Sequence, residues 1–131
     1  MPLIYISLGA NCGDRENNIE SALLLLSATF EDFKASELYE TPDYHGGPRN
    51  YVNAVASAYT SMNQSEIETM AKEMELKFGR TAEARERGDV PLDIDLVVYG
   101  DRIIKEKDFG RQFFRQGYNR IAVKSDVADR I

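Results

Sequence analysis

Residues 91–100 read Pro-Leu-Asp-Ile-Asp-Leu-Val-Val-Tyr-Gly, and this stretch contains the clearest strand in the sequence. Side chains along a strand point alternately to its two faces, so a period of two separates a buried face from the opposite one. The strand should end at Gly100, a residue that favours turns. The two predicted faces consist of Leu92, Ile94, Leu96 and Val98 on one side and Asp93, Asp95, Val97 and Tyr99 on the other.

Five further elements precede this strand, and each is predicted from apolar periodicity and from the turn residues that bound it. Asp14 precedes the first helix and is a suitable capping residue. Gly79 should end the second helix. The predicted elements are a strand over Leu3–Leu8, a helix with Ile19, Ala22, Leu23 and Leu26 on one face, strands over Lys34–Thr41 and Tyr51–Thr60, and a helix from about Gln64 to Phe78.

The resulting order is β-α-β-β-α-β, which predicts a ferredoxin-like fold of the α+β class, with helices packed on an antiparallel sheet. Residues 43–50 are predicted to form a loop because they are rich in Gly, Pro, Asp and Asn, and His45 is interpreted as an exposed loop residue. Beyond Asp101 a C-terminal extension is expected, with 109–118 as a candidate helix. The absence of repeats and linkers predicts one domain over residues 1–131.

Composition excludes several classes of protein. The net charge of −6 and the isoelectric point near 4.8 argue against non-specific nucleic-acid binding, which requires a basic surface. Cys12 is the only cysteine, so one chain has no intrachain disulfide and no cysteine-based zinc site. The N-terminus lacks the features of a signal peptide, and the most apolar run, 22–26, is too short to cross a bilayer. We therefore expect a cytoplasmic protein without membrane or nucleic-acid partners.

The pair Asp93 and Asp95 is the strongest candidate for chemistry. Carboxylates two residues apart on a strand share one face at roughly 6–7 Å, and burying both without a cation is costly. Magnesium prefers oxygen ligands and is often held by one or two carboxylates together with substrate phosphates. The alternative is that this pair forms the solvated face of an edge strand. Aspartate is disfavoured in strands, however, and apolar residues follow on the same face.

The connection before this strand carries Arg80, Arg85 and Arg87. Guanidinium groups suit phosphate oxygens because they are permanently charged and offer paired donors. Glu83 and Glu86 interleave with them, which is also typical of a solvated charged loop. Next to a carboxylate pair, the arginines indicate a candidate nucleotide-phosphate site.

Five segments together resemble the family of 6-hydroxymethyl-7,8-dihydropterin pyrophosphokinases, and they occur in the family's order over about the first hundred residues. The segment with the Leu-Asp-Ile-Asp-Leu core is the most specific of them. The matching segments are Tyr5-Ile6-Ser7-Leu8-Gly9-Ala10-Asn11, Tyr39-Glu40-Thr41-Pro42, Tyr51-Val52-Asn53-Ala54-Val55, Glu75-Leu76-Lys77-Phe78-Gly79-Arg80 and the stretch from Pro91 to Gly100.

The resemblance implies a role for each matching residue. Asp93 and Asp95 would hold two magnesium ions between ATP and a pterin alcohol, and these two carboxylates would be the catalytic residues. Asn53 would bond the pterin edge, in a pocket that Thr41, Pro42 and Tyr51 line. An aromatic residue of the C-terminal part would stack on the pterin, and Tyr118 is our candidate. Glu75, Arg80 and Leu96 would lie on the ATP side. A monomer is expected from the family.

The sequence departs from the family pattern at two places. The family's phosphate-binding arginine, in a Pro-Arg-Thr run before the aspartates, falls on Val90, so Arg85 and Arg87 are the candidate replacements for ATP binding. The family's later Pro-His and Arg-x-Phe segment is not recognised, and residues 108–118 stand in its place, with Arg111 and Arg115 as the available cations.

Three functions therefore remain open at the level of sequence. The first is an active pyrophosphokinase that uses ATP, magnesium and a pterin alcohol. The second is a relative that binds a pterin or a nucleotide without efficient transfer. The third is a ferredoxin-like interaction module, in which the acidic pair has no catalytic role.

Overall fold

The computed structural model describes residues 1–122, so residues 123–131 of the predicted domain lie outside the described residues. The fold consists of strands and helices that follow one another in the predicted order, with additions at two places. In chain order the elements are β1 Leu3–Ala10, α1 Arg15–Thr29, β2 Glu31–Ala35, β3 Tyr39–Thr41, β4 Tyr51–Tyr59, α2 Gln64–Lys77, α3 Ala82–Glu86, β5 Asp93–Tyr99, β6 Arg102–Ile103, α4 Glu106–Phe109 and α5 Gln112–Ile121.

Within residues 1–122 the strands form one six-stranded sheet, in the order β2-β4-β1-β5-β6. The short strand β3 pairs with the first residues of β4, while β2 pairs with its last part. Each strand pair in this part of the chain is antiparallel. The prediction of an α+β, ferredoxin-like fold with an antiparallel sheet is confirmed.

Helices cover both faces of the sheet. One face packs on α1 and α2, whose buried residues lie where the helical period placed them. The helices begin as their capping residues suggest, because Asp14 accepts the amide of Asn17 and Asn63 forms a reciprocal capping box with Glu66. The other face is covered by α5 through Phe114 and Tyr118, which pack on a cluster formed with Tyr5, Val55, Val97 and Val98.

The predicted strand over Lys34–Thr41 is wrong as one element, because β2 and β3 are separate. Ser36 causes the interruption. Its hydroxyl oxygen accepts the backbone amide of Val55 at 3.0 Å, and its own amide donates to the carbonyl of Val55 at 2.8 Å. The hydroxyl of Ser36 thus accepts the amide of Val55, which a backbone carbonyl would accept in a regular ladder. Ala35 opposes Ala56 and Tyr39 opposes Asn53, so the segment that contains Ser36 has one residue more than β4 across this bulge.

The predicted faces of β5 are wrong after Leu96. The pairing register shifts there, since Ile6 opposes Leu96 whereas Tyr5 opposes Val98. This bulge at Val97 moves Val98 to the cluster around Tyr5. Tyr99 accordingly packs on the α1 and α2 side instead of sharing the face of the aspartates. Asp93 and Asp95 precede the bulge, so they still share one face, as predicted.

The connection over 80–91 was predicted without secondary structure but contains the short helix α3, capped by the hydroxyl of Thr81 on the amide of Ala84. The candidate helix over 109–118 is divided into α4 and α5. Within residues 1–122, no helix is both long and apolar enough to span a lipid bilayer.

Gly117 lets α5 approach β4 closely. Its amide donates to the hydroxyl of Tyr39 at 3.1 Å, and that hydroxyl donates to the carbonyl of Phe113. Burial raises the pKa of Tyr39 to about 12, so the hydroxyl keeps the proton that it donates. A methyl group on Gly117 would lie 2.8 Å from this oxygen and 2.9 Å from Cβ of Val55.

We predict that Gly117→Ala lowers the free energy of unfolding by about 1–3 kcal/mol, because the added methyl group overpacks the contact with Val55. Helix propensity alone predicts the opposite sign, since alanine favours a helix over glycine. Chemical denaturation measures the difference. Gly110→Ala is the control, because its methyl group would meet only the carbonyl of Lys107 at 3.9 Å. Equal stability of Gly117→Ala and the native protein would contradict the prediction.

Candidate active site

Asp93 and Asp95 lie at the beginning of β5, opposite Gly9 and Ser7 of β1. Between them, Ile94 points into the core and is 5% exposed. The core position of Ile94 fixes the orientation of the strand and turns both carboxylates to the other face. β5 lies between β1 and β6, and the side chains of Asp93 and Asp95 are 36% and 24% exposed, so the acidic pair is only partly solvated.

Glu75 and Arg80 connect α2 to this strand. One carboxylate oxygen of Glu75 accepts the backbone amide of Ile94 at 2.8 Å, and the other lies 3.0 Å from Nη1 of Arg80. The same nitrogen donates to Asp93 at 2.6 Å. Burial raises the pKa of Glu75, and its bonds to Ile94 and Arg80 oppose that change. Arg80 thus bridges two carboxylates, and its buried Nε has no partner among residues 1–122.

Asp95 lies in a different environment from Asp93. Its burial, together with the nearby charge of Asp93, raises the pKa of Asp95 to about 8. The ammonium of Lys105 lies 3.6 Å from Oδ1 of Asp95 and opposes this change. The pair therefore favours any added positive charge, whether a proton or a bound cation.

A large cleft of about 510 Å³ opens beside the two aspartates, between α2 and β5. Four residues that the resemblance or the charge pattern assigns to ATP line it, namely Glu75, Arg80, Arg85 and Leu96. The lining of the cleft thus combines carboxylates, positive groups and apolar side chains. Its remaining lining residues are Ser65, Glu68, Thr69, Ala71, Lys72, Asp93, Ile94, Asp95 and Lys105.

A small cavity of about 240 Å³ lies on the other side of Asp93. The four residues that the matching segments 39–42 and 51–55 place around a pterin all line it, namely Thr41, Pro42, Tyr51 and Asn53. The amide of Asn53 donates to the hydroxyl of Thr41 at 2.8 Å and to the carbonyl of Tyr39 at 3.3 Å. Asn53 is only 2% exposed, so these bonds hold its orientation.

Asp93 and Arg80 border both the large cleft and the small cavity. A ligand in one space would therefore reach the same carboxylate as a ligand in the other. This shared border is the geometric feature expected of a site where a group passes between two bound molecules.

Several predicted residues lie outside both spaces. Arg87 pairs with Asp89 at 2.9 Å, and Arg111 lies over the ring of Tyr44 at 4.7 Å. Arg115 lies over the rings of Phe109 and Tyr118. Tyr118 is 3% exposed and packs edge-on against Tyr5. Neither the three arginines nor Tyr118 lines the large cleft or the small cavity.

The two aspartates offer hard oxygen ligands for a magnesium ion. Within residues 1–122 no group of three or more His, Cys, Asp or Glu side chains is arranged to hold a metal ion. A cation at Asp93 and Asp95 would therefore need water or phosphate oxygens to complete its shell, which is usual for magnesium. The buried negative pair and its oxygen donors fit such an ion.

Comparison with known proteins gives the family. The model of the 7,8-dihydro-6-hydroxymethylpterin-pyrophosphokinase (HPPK) family matches residues 5–123. The chain belongs to this family. It is 33% identical over 108 residues to a 2-amino-4-hydroxy-6-hydroxymethyldihydropteridine pyrophosphokinase of Aquifex aeolicus, covering 82% of this chain and 67% of the relative.

Two further relatives match this chain over different shares of their own length. The enzyme of the same name from Bacillus subtilis is 30% identical over 130 residues, which is 97% of this chain and 77% of that protein. A folate synthesis bifunctional protein of Arabidopsis thaliana is 34% identical over 112 residues, or 79% of this chain and 22% of the plant protein. The similarity to HPPK proteins thus extends over most of this chain.

Phe113 is the aromatic residue from the C-terminal part that lines the small cavity. Its ring stacks on Tyr44 at 5.4 Å. Sequence reasoning missed it, although Arg111-Gln112-Phe113 is itself an Arg-x-Phe segment of the kind the HPPK family carries. Tyr44, His45 and Ser7 line the same cavity and were also missed, as were Lys105 and the α2 residues of the large cleft.

The turn that contains Val90 is fixed to the start of the chain. The amide of Asn11 donates to the carbonyl of Val90 at 2.8 Å, and the amide of Val90 donates to the side chain of Asn11 at 2.7 Å. Arg49 bonds Asp89 and the carbonyl of Gly88, both at 2.8 Å. Val90 lines neither the large cleft nor the small cavity.

The raised pKa of Asp95 predicts a pH dependence of stability. Between about pH 4 and pH 8 the folded protein binds a proton at Asp95 that the unfolded chain has released. The free energy of unfolding should therefore fall as pH rises through this range and should level off above it. Urea denaturation at a series of pH values, with EDTA present, measures this change.

Asp95→Asn should have a flatter profile and should be more stable than the native protein near pH 8, since the amide carries no charge. Asp101→Asn, at an exposed position after β5, should follow the native profile. Parallel profiles for Asp95→Asn and the native protein would show that Asp95 ionises normally in the fold.

Proposed function

We propose that this protein transfers pyrophosphate from ATP to the hydroxymethyl group of 6-hydroxymethyl-7,8-dihydropterin, a reaction of folate synthesis. The observation that carries the proposal is the shared border of Asp93 and Arg80 between the large cleft and the small cavity. Membership of the HPPK family supports it, because relatives over most of this chain are named as pyrophosphokinases.

The large cleft is the proposed ATP site. Arg80 and Arg85 line the cleft and supply positive charge for phosphate oxygens. Leu96 offers an apolar contact for the base, and Glu75 holds Arg80 in place. Arg87, Arg111 and Arg115 remain ATP-binding residues only if their segments move, so we do not include them in the site.

The small cavity is the proposed pterin site. Its walls are Thr41, Pro42, Tyr51 and Asn53, and Phe113 supplies the flat surface on which the bicyclic ring stacks. We assign the stacking role to Phe113 in place of Tyr118, because Tyr118 is buried in the cluster around Tyr5.

We propose that Asp93 and Asp95 hold magnesium, with two ions as the family resemblance implies. Bound there, magnesium would neutralise phosphate charge and lower the barrier to attack. The pterin hydroxyl oxygen forms a bond to the β-phosphorus while the bond from that phosphorus to the α,β-bridging oxygen breaks, which releases AMP, and the hydroxyl proton leaves to solvent. Arg80 holds Asp93 between the reactants, and the two spaces keep attacking and leaving oxygens on opposite sides.

The remaining expectations belong to the same proposal. We propose one domain over residues 1–131 that acts as a monomer in the cytoplasm and binds no nucleic acid. A weakly active relative that only binds ligands is the second candidate, and it is favoured by the position of Val90 outside both spaces. The family match favours an enzyme over an interaction module.

We predict that the native protein releases AMP from ATP and magnesium only when the pterin alcohol is present. Asp93→Asn and Asp95→Asn should each slow this release at least about 100-fold, since a cation site that stabilises the transition state by several kcal/mol is lost. Asp101→Asn should retain the native rate. Folded protein that binds ATP and pterin without forming AMP would favour the binding-only relative. Native rates of AMP release in both aspartate variants would contradict the assigned site.

We also predict that Phe113→Leu weakens pterin binding about tenfold, because the stacked aromatic contact is lost. Tyr118→Leu is the matched variant, since it removes a ring from the same helix but from the buried cluster. Titration calorimetry with the pterin alcohol measures both. An unchanged affinity for Phe113→Leu, with a reduced affinity for Tyr118→Leu, would return the stacking role to Tyr118.

A further inference from the structure

Lys105 occupies a fixed backbone position beside the acidic pair. The amides of Ile104 and Lys105 both donate to the carbonyl of Val97, at 2.8 and 3.3 Å. Val97 is the bulged residue of β5, so this carbonyl turns the chain back toward Asp95. Lys105 also precedes α4 as its N-cap, and its ammonium group, which can only donate, does not bond the free amides of that helix. The backbone is therefore anchored, while the ammonium group is directed to the site.

The two cations at the acidic pair are held very differently. Arg80 contacts Glu75 and Asp93 at 3.0 and 2.6 Å, and its side chain is 18% exposed. Lys105 lies 3.6 Å from Asp95, and its side chain is 46% exposed. A distance of 3.6 Å exceeds that of a direct charge-assisted hydrogen bond, which is about 2.7–2.9 Å. The ammonium of Lys105 is thus the loosely held cation at the rim of the large cleft.

We propose that Lys105 binds the pyrophosphoryl portion of the nucleotide, exchanging its contact with Asp95 for phosphate oxygens. The inference rests on the proposed ATP site. Lys105 lines the large cleft at the end where Asp93 and Asp95 lie. A flexible lysine stem lets the ammonium follow a phosphate group, whereas the double ion pair of Arg80 keeps that side chain in place. Lys105 in this way supplies positive charge on the side of the pair that Arg80 does not reach.

A purely structural role for Lys105 makes the opposite prediction. If the ammonium only balanced the charge of Asp95, its removal would leave a more negative pair wherever Asp95 is ionised, so the two roles are compared at about pH 9, above the pKa of about 8. Such a pair would bind magnesium and its nucleotide complex equally well or more tightly. The sign of the change in nucleotide affinity therefore separates the two roles.

The test is calorimetric binding of the α,β-methylene analogue of ATP with magnesium, which measures affinity without turnover. We expect Lys105→Met to weaken this binding at least about tenfold, as for loss of a hydrogen bond to a charged group. Binding of AMP, which lacks the pyrophosphoryl portion, should change less than twofold. Lys105→Arg should restore most of the affinity. Lys107→Met, which removes the same charge from an exposed position two residues away, should bind the analogue as the native protein does.

Unchanged or tighter binding of the analogue by Lys105→Met would overturn the assignment of Lys105 and leave the ATP site standing. An equal loss for the analogue and for AMP would overturn it too, because the effect would then be on the cleft as a whole. Failure of the native protein to bind the analogue would instead overturn the proposed function on which the inference rests.

Discussion

The repulsion between two partly buried carboxylates on one strand is the constraint on which the rest of the site depends. Asp93 and Asp95 are fixed to one face of β5 because Ile94 and Leu96 occupy the core on the other. Partial burial of both negative charges requires compensation, which comes from Arg80 at one end and Lys105 at the other. Burial and the charge of Asp93 still raise the pKa of Asp95. The pair is therefore suited to accept further positive charge.

The position of the strand edge makes this arrangement possible. The edge strand β6 pairs only with Val98 and Tyr99, so it leaves the first half of β5 uncovered. Glu75 of α2 fills part of that edge by accepting the amide of Ile94, and it holds Arg80 with its other oxygen. A backbone donor that would otherwise need water thus fixes the cation that faces Asp93. The same open edge leaves room for the large cleft between α2 and β5.

The sequence was sufficient for the elements with a strong period and for the residues on regular strand segments. Asp93 and Asp95 share a face because they precede the bulge at Val97, whereas the prediction fails at Val98, where the bulge reverses the faces. Such a bulge depends on pairing between distant strands and leaves no local signal. The interruption at Ser36 has the same origin, since its hydroxyl bonds a strand that begins fifteen residues later.

The aromatic residues of the C-terminal segment did not reveal from sequence which of them lines the small cavity. Phe113, Phe114 and Tyr118 lie on one short helix, and only its docking decides which ring meets solvent and which meets the sheet. Gly117 allows the close approach to Val55 that turns Phe114 and Tyr118 inward, which leaves Phe113 at the small cavity. Tertiary packing, and not the helical period, therefore determines which ring of α5 faces the small cavity.

The two halves of the site have separate supports. Tyr39 of β3 fixes α5 by hydrogen bonds to the backbone at Gly117 and Phe113, and Thr41 of the same strand bonds Asn53 inside the small cavity. The acidic pair depends instead on β5, α2 and the turn before α4. Because the supports meet only where Asp93 and Arg80 border both spaces, the aromatic wall is free to change while the charge balance of the pair is retained. A substitution in the small cavity should therefore leave the ion pairs of Asp93 and Asp95 in place.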